Sequence, residues 1–507
     1  MKHLLKLAAL LLLLPSLANA QALTSLSSLR VRYNTQKATV QPTGDLKVQI
    51  DELDRALAEA ARLGQTGEVR RLLAKGTTLL AGRPWTPEAD YANSLVIRTD
   101  RLVVDSGRPY LVRLEQIYTP SIELARTMTA SVTLRSPAQP AGAGAGGQTD
   151  RYVRDLGVVA GVGRDLRESP FFLDLNLAGV PDGNYQLSVD VIDEGRQLGG
   201  ATLAINVRSG LDDLVARLER GAAQAPDAVR ADILYPVDRM RQVNRGRLEL
   251  RTFNPDRDFA EAEAVLNASR SGGDPFKTRT GDLKRHYLLE SAGEIMPYRV
   301  YVPARYDGTR AYPLIITLHG LGGTEDGFFT NYGGAFPKLA EERGYIIASP
   351  LGYRVDGSYG WGVGNPPADP VTRQVQERSE QDVMEVLVRM RQQYNIDPNR
   401  IYLAGHSMGG IGTWRIAAKY PDLWAAIAPF AGSGSPATVE RMRHIPQHVV
   451  HGDNDRTVNV QGSRGMVARM KELGMTVQYI EVPGGGHSDV VQPHAKSMFD
   501  FFDKHRK

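Results

Sequence analysis

The sequence predicts an α/β fold for the C-terminal part of the chain, preceded by a small antiparallel β-sandwich with flanking helices. After Pro275, short apolar runs alternate with helical segments, which is typical of a mostly parallel sheet with helices on both faces. Between residues 93 and 208, apolar and polar residues alternate singly, which is typical of antiparallel strands with one buried face. A chain of 507 residues has room for both domains.

The first twenty residues have the pattern of a secretory signal peptide. Met1–Lys6 is basic, Ala8–Leu14 is apolar, and Ala18–Ala20 offers a small-residue cleavage site. The apolar run is much shorter than the roughly 20 residues that a membrane span needs. We therefore expect an exported mature protein, beginning near Gln21, with no membrane span, in a bacterial periplasm or in the medium.

Composition excludes several chemistries and partners. The chain contains no cysteine, so disulfides and thiolate chemistry are excluded. Its formal net charge of +4 is small for its length, and we expect no nucleic-acid partner.

The spacing of apolar residues divides the chain before the α/β part into segments. Residues 21–92 are predicted to be a helical N-terminal segment, with a helical hairpin over 45–76 that turns at Gly64–Gly67. Residues 93–208 are predicted to be the β-sandwich-like domain, with a flexible loop at Pro137–Gly147. Such a sandwich either binds a polymer, attaches the protein to a surface, or packs against a neighbour.

A helical connector is predicted at residues 209–275, and its end at Ser271–Pro275 has the composition of a linker. The catalytic domain is then expected at residues 276–507. Its predicted strands are Tyr298–Val302, Leu314–Leu318, Tyr345–Ala348, Ile401–Ala404, Ala425–Phe430, His448–Val450 and Val477–Val482. Its predicted helices are Ala335–Glu342, Gln376–Tyr394, Ile411–Lys419, Ser463–Leu473 and Gln492–Asp503.

Ser407 lies in a pattern of strand, sharp turn and helix. Ile401–Ala404 is an apolar run, Gly405–Gly409 fits G-x-S-x-G, and the helical segment that follows stops at Pro421. Such a turn strains the serine, so that its hydroxyl projects from the backbone, while the glycines let strand and helix approach closely. The pattern predicts Ser407 as a nucleophile.

Two backbone N–H groups are expected to bind an oxyanion. The N–H of Met408 lies at the start of the helix that follows the serine. The second donor is expected in a loop after an earlier strand, and Leu318–Gly323 fits this position, with the N–H of Leu321 as the donor. His319 is interpreted as a residue that supports this loop.

A serine nucleophile needs a base, and the base needs a group that holds its tautomer. His487 follows a predicted strand in a glycine-rich loop and is the expected base, with His494 in the final helix as the alternative. Asp455 also follows a predicted strand and is the expected acid, with Asp453 as the alternative. The carboxyl ends of strands are where active sites lie in α/β folds.

Residues 283–505 resemble α/β-hydrolases of the secreted esterase group, which includes feruloyl and acetylxylan esterases, polyhydroxybutyrate depolymerases and prolyl-oligopeptidase-like serine hydrolases. The stretches that carry this resemblance are Tyr298–Pro303, Leu318–Gly323, Asn395–Tyr402, Gly405–Gly410, His451–Asp455 and Gly486–His487. The resemblance implies an α/β-hydrolase fold for residues 276–507 and, by analogy with H-G-x-x-D, an acid at Asp455. The chain order Ser407, Asp455, His487 is the order of that fold.

A long loop at Pro350–Pro367 interrupts the alternation of strands and helices. Connections longer than about 12 residues are usually functional or disordered. Tyr353, Tyr359 and Trp361 in this loop are expected to stack on a sugar or phenolic ring of the substrate. The alternative is a loop whose aromatic side chains fill its own small core.

Together these features predict an exported serine hydrolase that cleaves small-molecule or polymer-linked carboxylic esters through an acyl-enzyme. No metal or organic cofactor is implied. One alternative is a peptidase of the prolyl-oligopeptidase type, but residues 21–270 lack the blade-like repeat that usually screens the site of that family. The other alternative is a non-catalytic binding protein on a hydrolase fold, against which the intact Ser, Asp and His argue.

Overall fold

The computed structural model describes residues 26–125, 127–136, 153–270 and 274–507. The predicted signal peptide, the loop at 137–147 and most of the linker at 271–275 lie outside these described residues. Among the helices of the described ranges, none combines the length and the apolar composition that a transmembrane span requires.

The chain forms two compact units. The first comprises the residues up to Arg220 together with Pro236–Ala260, and the second comprises Gly221–Tyr235 together with Glu261–Lys507.

The first unit begins with helices, which are α1 (Leu26–Val40), α2 (Gly44–Arg62), α3 (Thr66–Leu80) and α4 (Pro87–Ser94). Helices α2 and α3 form a hairpin at the position where apolar spacing predicts one. Ile50 and Leu53 on α2 and Leu73 on α3 are buried in a shared core, which also takes in Tyr33 of α1. The hairpin is therefore held by the apolar stripe of each helix.

A β-sandwich follows, and its strands are β1 (Leu95–Thr99), β2 (Val103–Asp105), β3 (Tyr110–Gln116), β4 (Thr127–Arg135), β5 (Val153–Gly163), β6 (Phe171–Leu175), β7 (Gly183–Asp193) and β8 (Arg196–Arg208). They form a three-stranded sheet in the order β1-β3-β6 and a five-stranded sheet in the order β2-β8-β7-β4-β5. Within the described strands, β2 pairs with β8 in parallel and the other neighbours are antiparallel. Alternate residues of β4 and β7 are buried, as single alternation in the sequence predicts.

The segment predicted to be a helical connector contains α5 (Leu211–Gln224), α6 (Asp227–Asn244) and α7 (Pro255–Ser269). The residues of these helices are divided between the two units. The domain boundary after residue 275 remains a prediction.

The second unit is built on a sheet whose strands are β9 (Gly281–Leu289), β10 (Glu294–Val302), β11 (Tyr312–Leu318), β12 (Ile346–Pro350), β13 (Ile396–His406), β14 (Ala426–Phe430), β15 (Gln447–Gly452) and β16 (Val477–Val482). Their order is β16-β15-β14-β13-β11-β12-β10-β9. Strands β9 and β10 are antiparallel to their neighbours, and the rest of the sheet is parallel. The predicted α/β fold is confirmed. Strand β9 was not predicted, because this edge strand carries polar residues and lacks a continuous apolar run.

Helices cover both faces of this sheet, and they are α8 (Gly327–Thr330), α9 (Ala335–Arg343), α10 (Pro370–Gln393), α11 (Met408–Lys419), α12 (Gln461–Glu472) and α13 (Val491–Phe502). Successive residues of β11 enter different apolar clusters, Leu314 and Ile316 in one and Ile315 in the other. Because side chains alternate across a strand, these two clusters are the two faces of the sheet.

A buried ion pair connects α6 with β9 inside the second unit. Asp232 accepts a hydrogen bond from the His286 N–H at 2.8 Å and lies 3.3 Å from Arg285 Nε. The side chains of Asp232 and Arg285 are 2% and 4% exposed. The Arg285 guanidinium also lies 4.0 Å from the ring centre of Phe276. Asp232, which precedes the predicted domain boundary, thus neutralises the charge of Arg285 in the sheet.

We expect Asp232→Ala to destabilise the protein by about 3–5 kcal/mol, because it leaves Arg285 as a buried cation without its carboxylate. Denaturant unfolding of the full chain measures this change. Asp227→Ala on the same helix is the matched control, since Asp227 is 89% exposed in its pair with Arg230. For the same reason, a 276–507 fragment should be less soluble and less stable than a 221–507 fragment. Equal unfolding midpoints for the two fragments would contradict this expectation.

Candidate active site

Ser407 occupies the turn between β13 and α11. Its φ of 59° and ψ of −117° lie in a region that L-residues rarely adopt, and its N–H donates to the Phe430 carbonyl at 2.9 Å. A Cβ atom on Gly405 would lie 2.2 Å from the Gly409 carbonyl oxygen, and one on Gly409 would lie 1.9 Å from the Leu318 carbonyl oxygen. Side chains at these positions would push strand and helix apart, which explains both glycines.

The structure brings Ser407, His487 and Asp455 into one hydrogen-bonded line. His487 Nε2 lies 2.8 Å from Ser407 Oγ, and His487 Nδ1 lies 2.7 Å from Asp455 Oδ2. The three residues follow β13, β16 and β15 in that order. Because these strands run parallel, their carboxyl ends meet at one edge of the sheet.

The two alternative residues have local contacts instead. His494 lies on α13, where its Nδ1 is 2.9 Å from the Val490 carbonyl oxygen one turn earlier. Asp453 accepts a hydrogen bond from the Gly484 N–H at 2.7 Å. These contacts stabilise the final helix and the loop after β16, and they place neither residue in the line from the serine.

The Asp455 carboxylate is fully buried, with 0% of its side chain exposed. Its Oδ1 accepts from the N–H groups of Thr457 and Val458 at 2.8 and 2.9 Å, and its Oδ2 faces His487 and also His451 Nε2 at 3.1 Å. Burial acts to raise the pKa of Asp455, but the hydrogen bonds from His487 and the two backbone groups outweigh burial and hold this pKa below its usual range. The carboxylate is therefore charged at neutral pH.

His406, the residue before the serine, holds the backbone of His487. Its Nε2 lies 2.9 Å from the His487 carbonyl oxygen, and its Nδ1 lies 3.0 Å from the Tyr332 hydroxyl oxygen. Burial lowers the pKa of His406 to about 4, so the ring is neutral at pH 7. Nε2 then donates to the carbonyl, and Nδ1 accepts from Tyr332. Neither His406 nor Tyr332 was predicted to have a role, although a histidine next to the nucleophile was the available signal.

The loop after β11 passes directly beside the serine. A Cβ atom on Gly320 would lie 3.4 Å from Ser407 Cβ, and Leu321 is the next residue. Met408 is the first residue of α11, and the first N–H groups of a helix have no acceptor within it. Both predicted oxyanion donors therefore belong to segments that adjoin the serine. Their role stays a prediction.

The long aromatic loop contacts the loop after β11 at several points. Gly322 N–H donates to the Val355 carbonyl at 2.8 Å, and His319 Nε2 lies 2.7 Å from the Leu351 carbonyl oxygen. The Tyr359 hydroxyl donates to the His319 carbonyl at 3.2 Å. The hydrogen bond of the His319 side chain supports its loop, as predicted. Together the three hydrogen bonds attach the aromatic loop to the segment beside the serine and stabilise that segment.

Two of the aromatic residues predicted to stack on a substrate are core residues. Tyr353 is 3% exposed and Tyr359 is 0% exposed. The ring of Tyr353 lies under the Arg354 guanidinium, 3.8 Å from it, and Tyr359 N–H donates to Ser379 Oγ at 3.0 Å. Both side chains are buried in the protein, which corrects the expectation that they stack on a sugar or phenolic ring. Trp361 is partly buried, with Lys419 Nζ 5.5 Å from its ring centre, and its role stays a prediction.

Comparison with known proteins identifies a family that matches part of this chain. The family described as "Putative esterase" matches residues 290–478. The bifunctional acetylxylan esterase/xylanase XynS20E of Neocallimastix patriciarum is 28% identical over 160 residues, which are 32% of this chain and 22% of the relative. Feruloyl esterase B of Thermothelomyces thermophilus is 29% identical over 133 residues, which are 26% of this chain and 43% of the relative. The chain thus spans less than half the length of either relative.

Among solved structures, the crystal structure of a thermostable esterase aligns with 78% of this chain and 95% of its own, at 20% identity and a TM-score of 0.39. The family match falls on the second unit, which contains the mostly parallel sheet and the strained serine. Within the C-terminal half of this chain, residues 290–478 therefore match an esterase family and lie in the unit with the α/β fold.

Proposed function

We propose that this protein is a serine hydrolase that cleaves carboxylic esters through an acyl-enzyme. The observation that carries this proposal is the hydrogen-bonded line from Ser407 through His487 to Asp455 at the carboxyl edge of the parallel sheet. The esterase family match supplies the reaction class.

Each residue has a defined step in this reaction. Ser407 Oγ attacks the carbonyl carbon of the ester while His487 Nε2, 2.8 Å away, takes its proton. Asp455 stabilises the imidazolium that forms, and the N–H groups of Leu321 and Met408 bind the oxyanion. His487 then gives its proton to the leaving alcohol, which leaves an acyl group on the serine. Water attacks this acyl group with His487 again as the base.

The acid limb of the pH–rate profile should come from protonation of the base. A protonated His487 accepts nothing from Ser407. The pKa of Asp455 is held below its usual range, so this carboxylate stays charged on the acid limb. We expect kcat/KM for a neutral aryl ester to fall about tenfold per pH unit on that limb. A rate that is flat from pH 7 to pH 5 would contradict His487 as the base.

Tyr359→Phe should lower kcat by about threefold to tenfold with little change in KM, because it removes one neutral hydrogen bond to the His319 carbonyl. The loop beside the serine then loses one of the hydrogen bonds that stabilise it, whereas the buried ring remains in place. Steady-state kinetics on an aryl ester measure this. Tyr298→Phe is the matched control, since it removes a hydroxyl that contacts Gln393 at 3.2 Å in the same apolar cluster. Equal kinetics in the two variants would show that the hydrogen bond from Tyr359 to the His319 carbonyl does not affect the reaction.

The proposed substrates are acyl esters of sugars or phenolic acids, in view of the names of the relatives. The test is a side-by-side panel of short-chain aryl esters, acetylated sugars, feruloyl sugars and proline-containing peptides, together with fluorophosphonate labelling. We expect an adduct on Ser407 and ester turnover above peptide turnover. Faster peptide turnover would favour the peptidase alternative, and folded protein without an adduct would favour a non-catalytic binding protein.

We further propose that the protein is exported. Expression in a Gram-negative host followed by N-terminal sequencing of the periplasmic protein tests this, with Gln21 as the expected first residue. A full-length chain recovered from the cytosol of that host would contradict it.

A further inference from the structure

The carboxylate of Asp455 has a second histidine beside it. His451 lies near the end of β15 and is 0% exposed. Its Nε2 is 3.1 Å from Asp455 Oδ2, the same oxygen that receives His487 Nδ1 at 2.7 Å. One carboxylate oxygen is thus shared by two imidazole rings, one of which faces the serine and one of which is enclosed by protein.

The neighbours of His451 determine which of its nitrogens donates. Nε2 faces Asp455 Oδ2 and also the Val458 carbonyl oxygen at 2.9 Å, and both of these atoms only accept hydrogen bonds. Nε2 therefore carries a proton, and its single N–H is shared between the carboxylate oxygen and the Val458 carbonyl oxygen. On the opposite side, Nδ1 lies 2.7 Å from Ser463 Oγ, which in turn lies 3.0 Å from the Gly432 carbonyl oxygen.

These contacts fix the ring in the molecule. Val458 belongs to the turn that also supplies N–H groups to Asp455 Oδ1, and Ser463 is a fully buried residue of α12. Hydrogen bonds at both nitrogens leave the imidazole no freedom to rotate. Among the described residues, Glu481 is paired with His451 across β15 and β16 and lies 2.9 Å from Arg464, and His406 near the site is neutral.

We propose that His451 is a positioning residue that holds Asp455 Oδ2 on His487 and withdraws part of its negative charge. This inference rests on the proposed hydrolase function and deepens it. Two consequences follow from the geometry. Without His451, one of the hydrogen bonds that fix Oδ2 against His487 is lost, which lowers kcat. The remaining carboxylate also carries its full charge toward His487, which favours the protonated ring and moves the acid limb of the pH–rate profile to higher pH.

The test compares His451→Leu with His451→Gln in the full chain. Leucine removes the donor, and we expect kcat per active site to fall about tenfold to hundredfold, with KM within about twofold, because a hydrogen bond to a charged group is lost. We also expect the acid limb to move up by about one pH unit for the same reason. Glutamine retains an N–H donor near the position of Nε2, so it should restore most of kcat and most of the profile. Active sites are counted by fluorophosphonate labelling.

His448→Leu is the matched control. His448 is also 0% exposed, lies on the same strand, and pairs with a serine, Ser497 Oγ, at 3.0 Å, but its contacts are away from Asp455. If both leucine variants lose stability while kcat per site and the acid limb stay at the wild-type values, His451 is only structural and the proposal is overturned.

Ser463→Ala covers the case in which His451→Leu does not fold. It frees Nδ1 and keeps the donor on Nε2, so the same shifts should occur with smaller size. Wild-type kcat per site together with a wild-type acid limb in Ser463→Ala would overturn the proposal. Failure of the hydrolase proposal itself is distinguishable, because the wild-type protein would then show neither a labelled Ser407 nor ester turnover.

Discussion

Replacing Ser407 with alanine is expected to lower kcat by about five to six orders of magnitude, as removal of the nucleophile does in other serine hydrolases. Ser407 Oγ is the atom that lies 2.8 Å from His487 Nε2 at the edge of the sheet, so alanine leaves the base without a proton to take. KM and the free energy of unfolding should change little, since alanine fits the space of the serine. Turnover of an aryl ester, with long incubation for the variant, measures the loss.

Ser497→Ala is the control for this substitution. Ser497 lies on α13, its hydroxyl donates to the His494 carbonyl at 2.9 Å, and it contacts His448. It loses comparable hydrogen bonds without touching the serine, the base or the acid, and we expect kcat within about twofold of the wild type, as for most substitutions away from an active site. Activity in Ser407→Ala comparable with that of Ser497→Ala would mean that another residue is the nucleophile.

Asp455→Asn is expected to lower kcat by about four orders of magnitude, by analogy with the same change in other triads. The amide removes the negative charge that stabilises the His487 imidazolium, and its NH₂ group favours the wrong tautomer of the ring. The dependence of the protein's stability on pH should also change. Because the pKa of Asp455 is lower in the folded state, its stabilising contribution is present above the ordinary range of aspartate and is lost as the pH falls. The asparagine variant should lack this part of the acid dependence.

Asp453→Asn tests which of the two carboxylates of this turn is the acid. Asp453 accepts only a loop hydrogen bond from Gly484, and asparagine keeps an oxygen that does the same. We expect kcat within about threefold of the wild type, because a neutral hydrogen bond is retained. A loss of several orders of magnitude in Asp453→Asn, with mild effects in Asp455→Asn, would reverse the assignment of the acid.

The periodicity of the sequence was sufficient to predict the parallel strands of the second unit. Strand β11 and the 401–405 part of β13 are buried on both faces, so they are mostly apolar, and this requirement is visible in the residues themselves. The turn at Ser407 was predictable for a related reason. Gly405 lies too close to Gly409, and Gly409 too close to Leu318, for a side chain at either position, and this requirement leaves a pattern in the sequence.

The partners of the candidate site were decided only by the tertiary structure. Residue types identify Tyr353 and Tyr359 as rigid aromatic groups, but the side of the loop that faces the core depends on how 350–367 folds against α10 and the loop after β11. The same holds for His406 and His451. Both are buried histidines. The partner of His406 is the His487 carbonyl, far away in the chain, and the contact of His451 with Asp455 depends on how the turn between them folds. Local pattern determined which segments are strands and where the nucleophile lies, whereas hydrogen-bond partners follow from distances between segments, which no local pattern contains.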